Sequence, residues 1–226
     1  MIAGLQQSPR NPPRGQPPEA NESVADAELT EASFFAVPMH FDRLAIRAHA
    51  MASRRVMLRA WCCNGGSGEE AYSIAMLLRE AGCLGEVLAT DPDPEAVAAG
   101  RRGMYPLATL TGLGADRLQR HFFVRGADDQ SRVALVRGEL RTMVAFSGHQ
   151  VYAADWPAAG RFDVIFCRRG LGSADSSARR LVIGRLVAAL APEGTLYLGQ
   201  AEGVNAIHPA LLSCGGGVYE RRASGS

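Results

Sequence analysis

At 226 residues, 47% hydrophobic and 21% charged, the chain suits one globular domain with a sizeable core. A net charge of +1 argues against a general attraction to nucleic acid, and all 24 basic residues are arginines, scattered except for short pairs. Five cysteines without metal-ligand spacing, and no signal peptide or long apolar span, point to a reduced cytoplasmic protein with no metal site and no membrane insertion.

Residues 1–28 are rich in Pro, Gly, Gln, Asn and acid, so they are expected to form a disordered leader ahead of a single domain over 29–222. Phe34, Phe35, Phe41, Leu44 and Ile46 supply an apolar stripe around a helix beginning near Pro38. Val56 to Cys63 then reads as a strand, Asn64 to Gly68 as a glycine-rich turn, and Glu69 to Glu80 as a helix. Cys62 and Cys63, adjacent at a strand end, are expected on opposite faces, which suits packing rather than a disulfide.

Further on, Glu86 to Thr90 reads as a strand, and Asp93 to Arg101 and Ala115 to Phe122 as helices. Arg132 to Val136 and Thr142 to Phe146 are expected to pair as strands around Gly138, within a small β insertion over about 105–146. Phe162 to Cys167 restores a buried strand. Helix Ser176 to Leu190, strand Thr195 to Gly199 and a final edge strand Gly217 to Arg221 follow. Alternation of strand and helix implies an α/β fold with a mostly parallel sheet.

Gly66-Ser67-Gly68-Glu69-Glu70-Ala71 fits the G-x-G-x-x-A dinucleotide fingerprint, with Asp91 about 20 residues further on, as that pattern expects. Glu69 and Glu70 separate the readings. A helix N-terminus with free N–H groups suits a pyrophosphate, and carboxylates placed there repel one, so a nicotinamide dehydrogenase is disfavoured. S-adenosylmethionine (SAM) carries a sulfonium and an ammonium and no phosphate. Glu69 would take the ammonium and Asp91 both ribose hydroxyls. The plain alternative is that both acids only complement the helix dipole.

The segment from Phe34 to Arg221 resembles the CheR family, SAM-dependent methyltransferases that esterify glutamates on chemotaxis receptors. Gly68-Glu69-Glu70-Ala71-Tyr72-Ser73-Ile74-Ala75-Met76 is similar to the family's G-E-E-P-Y-S-hydrophobic-A-M signature with only the proline replaced. Ala89-Thr90-Asp91, Gly103-Met104-Tyr105, Phe162 to Arg168 and Gly194 to Glu202 keep the family's order. The resemblance implies a class I, Rossmann-like SAM methyltransferase fold with a small antiparallel β insertion. It places the cofactor, and S-adenosylhomocysteine (SAH) as product, against Gly66, Gly68, Glu69, Asp91, Gln150, Val151 and Arg168, with Gln150-Val151 bordering the adenine and His149 beside them. The implied partner is a protein acceptor or chemosensory-type signalling protein.

The departures lie on the catalytic rim. Where the family pattern is T-x-F-F-R, this chain has Ala32-Ser33-Phe34-Phe35-Ala36; where it is C-R-N, a hydrophobic stretch and tyrosine, this chain has Cys167-Arg168-Arg169 and then Ser173. The catalytic residues are therefore not assigned by resemblance, and Arg168 and Arg169 are the candidates for a lost donor fork. Two expectations follow: a protein-glutamate methyltransferase, or a binding scaffold that senses SAM and SAH without transfer. The family usually carries a helical N-terminal domain before the cofactor core; here only the leader and one helix are expected ahead of it.

Overall fold

The computed structural model describes residues 33–127, 131–153, 156, 161–169, 171, 175–199 and 208–222. Residues 1–28, Ala32 and Ser173 lie outside this set. The chain is of the α/β class, built on a seven-stranded, mostly parallel sheet with a three-stranded antiparallel sheet beside it. Helix α1 (Pro38–Ser53) precedes strand β1 (Leu58–Cys63), helix α2 (Glu69–Glu80), strand β2 (Gly85–Asp91) and helix α3 (Pro94–Arg102). Asp93 starts α3 by accepting the Glu95 N–H at 2.8 Å, and Pro94 occupies its first turn, where a missing N–H costs nothing.

Strand β3 (Met104–Pro106), a 3-10 turn over Leu107–Leu113, helix α4 (Ala115–His121), β4 (Phe122–Arg125) and β5 (Val133–Val136) follow. The small sheet has the order β3-β5-β4. Next come a single helical turn, α5 (Gly138–Arg141), then β6 (Val144–Gly148), β7 (Phe162–Cys167), α6 (Ser176–Ala189), β8 (Leu190–Leu198), β9 (Leu211–Gly215) and β10 (Val218–Arg221). The large sheet runs β6-β2-β1-β7-β8-β10-β9. Strands β6, β2, β1, β7 and β8 are parallel, and β10 is antiparallel to both neighbours.

Several expectations are corrected. β5 and β6 do not pair: β5 belongs to the small sheet, and β6 lies parallel to β2 at an edge of the large one, because α5 turns the chain away between them. β10 is not an edge strand, since β9 pairs outside it. Phe122 ends no helix and opens β4 instead, and β8 begins as early as Leu190, through an irregular stretch in which Glu193 has φ 61°. Ile46 is 73% exposed, while Phe41 and Leu44 of the same helix are buried.

The sheet is covered on both faces. Alternation along β1 sends Ala60 and Cys62 to one face, against α1, α2 and the small sheet, and Trp61 and Cys63 to the other, against α6. Cys62 and Cys63 thus separate as expected. Burial on both faces explains why β1 and β7 read as unbroken apolar runs. The strand order reverses at β1, from which the chain builds outward first through β2 and β6 and later through β7 and β8. That leaves a crevice at the C-terminal ends of β1 and β7, the usual ligand position in such sheets.

Candidate cofactor site

The cofactor-site candidates expected from sequence stand at the C-terminal edge of the parallel strands. Gly66, Gly68 and Glu69 follow β1, Asp91 ends β2, Gln150 and Val151 follow β6, and Arg168 and Arg169 follow β7. The glycine loop is fastened to β2 and to the small sheet. Gly65 N–H donates to the Thr90 carbonyl at 3.1 Å, Gly66 N–H to Asp91 Oδ2 at 2.7 Å, and Tyr105 Oη to the Ser67 carbonyl at 2.7 Å. Gly66 (φ 57°) and Gly68 (φ 99°) hold left-handed backbone that lets the chain turn into α2.

Asp91 also receives the Asp93 N–H on Oδ1 at 3.0 Å. Each of its oxygens keeps a further lone pair for an outside donor. Glu69, in the first turn of α2, accepts from one side chain among the described residues, the Ser67 hydroxyl, at 2.7 and 2.9 Å. Burial pushes the Glu69 carboxyl above the usual carboxylate range, against the opposing pull of the Ser67 hydroxyl, a backbone N–H and the Arg169 guanidinium. A partly buried carboxylate with one neutral side-chain partner is short of a cation.

Glu70 behaves differently from its neighbour. It is 3% exposed, takes the Cys62 Sγ–H on Oε1 at 2.9 Å, and pairs through Oε2 with the Arg168 guanidinium. Only one of the two first-turn acids therefore faces the mouth; the other turns into the core, where a buried arginine balances it. Glu70 also lifts the Cys62 thiol, which burial has already raised well above the usual thiol range. That keeps Cys62 protonated and unreactive.

The two arginines separate as well. Arg168 is buried, and its Nη1 donates to the Ala36 carbonyl at 2.6 Å, so it joins β7, α2 and the segment before α1. Arg169 is half-buried and lies over the glycine loop: a Cβ added at Gly66 would stand 3.2 Å from its Nη2. On the far side of the crevice, His149 N–H donates to the Asp91 carbonyl at 3.0 Å, Val151 is buried, its carbonyl takes the Trp156 indole N–H at 3.1 Å, and Gln150 is exposed.

Sequence reasoning missed one group on this rim, Asn64, and placed a second, His149, beside the adenine residues without marking an orphaned atom. Asn64 has left-handed backbone (φ 52°) and a buried Oδ1 with no partner, and His149 Nε2 is likewise buried and unpaired. Buried polar atoms are nearly always satisfied, so orphans beside a crevice mark places for a ligand's donors and acceptors. The signal for Asn64 was its position just before a glycine at a strand end, where asparagine tolerates left-handed backbone. Tyr105 was visible only as part of a motif, and its bond to the loop depends on how the small sheet docks.

The comparisons with known proteins bear on the family. The family description "CheR methyltransferase, SAM binding domain" matches residues 30–216. A protein of Pseudomonas aeruginosa named chemotaxis protein methyltransferase 2 is 37% identical over 195 residues, covering 83% of this chain and 68% of that protein. Chemotaxis protein methyltransferases of Salmonella typhimurium and Escherichia coli are 34% and 33% identical, covering 81% and 83% of this chain and 66% and 65% of theirs. The chain thus spans about two thirds of the length of these relatives. Among solved structures, the plantazolicin methyltransferase BpumL in complex with SAH covers 79% of this chain and 53% of its own, at 10% identity and a TM-score of 0.45, a likeness too distant to bear on the site. With the family description matched from residue 30 to residue 216 and relatives above 30% identity, this chain belongs to the CheR methyltransferases, in their SAM-binding domain.

Proposed function

We propose that the chain transfers a methyl group from SAM to a carboxylate, a glutamate side chain, on a chemosensory-type protein partner in the cytoplasm. The observation that carries the reading is Glu69: a half-buried carboxylate at the mouth of the glycine loop, held by one serine hydroxyl. Together with the orphaned Asn64 Oδ1 on the same loop, it suits an ammonium-bearing ligand and opposes a pyrophosphate. The residues present fit SAM. When bound, SAM supplies an electrophilic methyl group on a positive sulfonium.

The chain's own residues would bind and align. Glu69 and Asn64 accept from the ammonium, Asp91 offers its spare lone pairs to the ribose hydroxyls, and Val151 walls the adenine beside Gln150 and His149. Gly66 and Gly68 supply the left-handed backbone of the loop against which the ligand would lie. Arg168 positions without touching the reactants, by fixing Glu70 and Ala36. Methylation of a carboxylate neutralises charge as the bond forms, so alignment outweighs acid–base chemistry and transfer needs no histidine base.

A second reading, a scaffold that binds SAM and SAH without transfer, is favoured by one observation. Arg168 is committed to buried partners, and Ala36 offers no side-chain donor for an acceptor carboxylate. Incubation with labelled SAM and native extract separates the two: a base-labile methyl ester supports transfer, and SAH binding with no labelled product supports the scaffold. Among the described residues no helix is long and apolar enough to cross a bilayer.

A further inference from the structure

Arg169 makes no hydrogen bond and no ion pair among the described residues, unlike the arginine before it. Its guanidinium rests on the glycine loop, with Nη2 and Nη1 at 3.2 and 3.5 Å from where a Gly66 Cβ would sit. Glu69 lies close enough for Arg169 to favour its ionised form, yet the two form no direct pair. A half-buried cation and a half-buried anion thus flank the loop without neutralising each other. Each is left short of a counter-charge.

A zwitterion of matching size would satisfy both, and an α-amino acid carries its ammonium and carboxylate on one carbon. Resting on the cofactor reading above, we propose that Arg169 binds the α-carboxylate of the cofactor's methionine end while Glu69 holds the ammonium. Arginine suits the task because its planar fork grips a carboxylate through two parallel bonds. The position carries asparagine in the resembling pattern, so this clamp is particular to the present chain. Packing against Gly66, whose own N–H is fixed by Asp91, places the guanidinium on the cofactor loop itself.

Calorimetry of the full chain with SAH and with decarboxylated SAH, which keeps the amine and lacks the carboxylate, tests the assignment. The wild type should prefer SAH by about 10- to 100-fold, the range of hydrogen bonds to charged groups. In R169Q the SAH affinity should fall until the two ligands agree within about twofold, and R169K should recover part of the preference. Equal weakening of both ligands in R169Q would assign Arg169 a structural role and overturn the proposal. So would R169Q that binds SAH normally, including the case in which it loses methyl transfer, which would move Arg169 to the acceptor's carboxylate. A wild type that binds neither ligand would reject the cofactor reading itself, a different failure from loss of the Arg169 effect alone.

Discussion

Arg168, at the end of β7, is paired with Glu70 in the first turn of α2 while its Nη1 holds the Ala36 carbonyl at 2.6 Å, and both charged side chains are almost wholly buried, at 2% and 4% exposure. The pair therefore clamps the cofactor helix to the strand across the crevice and the N-terminal segment to both. Removing one partner strands the other charge in the core, so Glu70→Ala should cost about 3–5 kcal/mol in urea unfolding. Glu70→Ala with Arg168→Met should recover a large part of that loss, because an uncharged pair leaves no ion unpaired. A Glu70→Ala loss below about 1 kcal/mol, the scale of an exposed pair, would show the ions reach solvent.

With Glu69 in its proposed role, cofactor affinity should depend on pH. Burial raises its carboxyl above 4.5, and a bound ammonium favours the ionised form. Protonation therefore competes with the ligand: SAH affinity should fall as pH drops from neutrality through a midpoint above 4.5, by up to about tenfold per unit below that midpoint. Glu69→Gln should bind SAH weakly and with a flat profile over the same range. Calorimetric titrations at several pH values, under conditions where the protein stays folded, check both slopes; a sloping Glu69→Gln profile would assign the titration elsewhere.

The contrast between these neighbours shows how much of the site was legible in the sequence. Strand β1, helix α2 and strand β7 were readable because glycines or charges bound their apolar runs, and so was the placement of Gly66, Glu69 and Asp91 around one crevice. Which of two adjacent acids faces the mouth was not. Successive helix positions point about 100° apart, and α2 is buried from Glu70 through Leu78, so no polar face marks the core-facing acid. Likewise Arg168 and Arg169 are alternatives in sequence that only their partners separate. The β9–β10 hairpin was missed because its turn, Gly215 to Gly217, is all glycine with left-handed backbone, and β9 leaves Leu212 exposed, which blurs the alternation.

Gly68 and Tyr105 give a test of how the small sheet supports the loop. A Cβ at Gly68 would stand 2.9 Å from Phe146 Cζ and 3.2 Å from Tyr105 Oη, on backbone with φ 99°. Gly68→Ala should destabilise by about 1–3 kcal/mol through crowding and backbone strain. Tyr105→Phe removes one hydrogen bond to the Ser67 carbonyl and should cost about 1 kcal/mol. It should also weaken SAH binding several-fold, because the Ser67 hydroxyl orients Glu69. Denaturant unfolding and calorimetry on the same samples check both effects; full SAH affinity in Tyr105→Phe would confine the tyrosine to holding the subdomain.

His40 sets a second pH dependence, in stability rather than binding. It is buried in α1, its Nε2–H donates to the Gly216 carbonyl at 2.7 Å, and its Nδ1 is buried with no partner. Burial lowers its pKa below 6.5; the Gly216 bond and Glu70 oppose this, and Arg168 and Arg43 reinforce it. His121 is shifted in the same direction by burial, against its bond to Glu80. Below 6.5 the unfolded chain takes up protons that the folded state resists, so the stability present at neutral pH is lost as pH falls. The slope approaches about 1.4 kcal/mol per unit for each histidine. Unfolding midpoints measured from pH 7.5 to 5.5 should decline, and His40→Gln, whose amide can keep the Gly216 bond, should remove about half of that slope. An unchanged slope in His40→Gln would mean that His40 takes up its proton at the same pH in the folded and unfolded chains, which its burial and unpaired Nδ1 argue against.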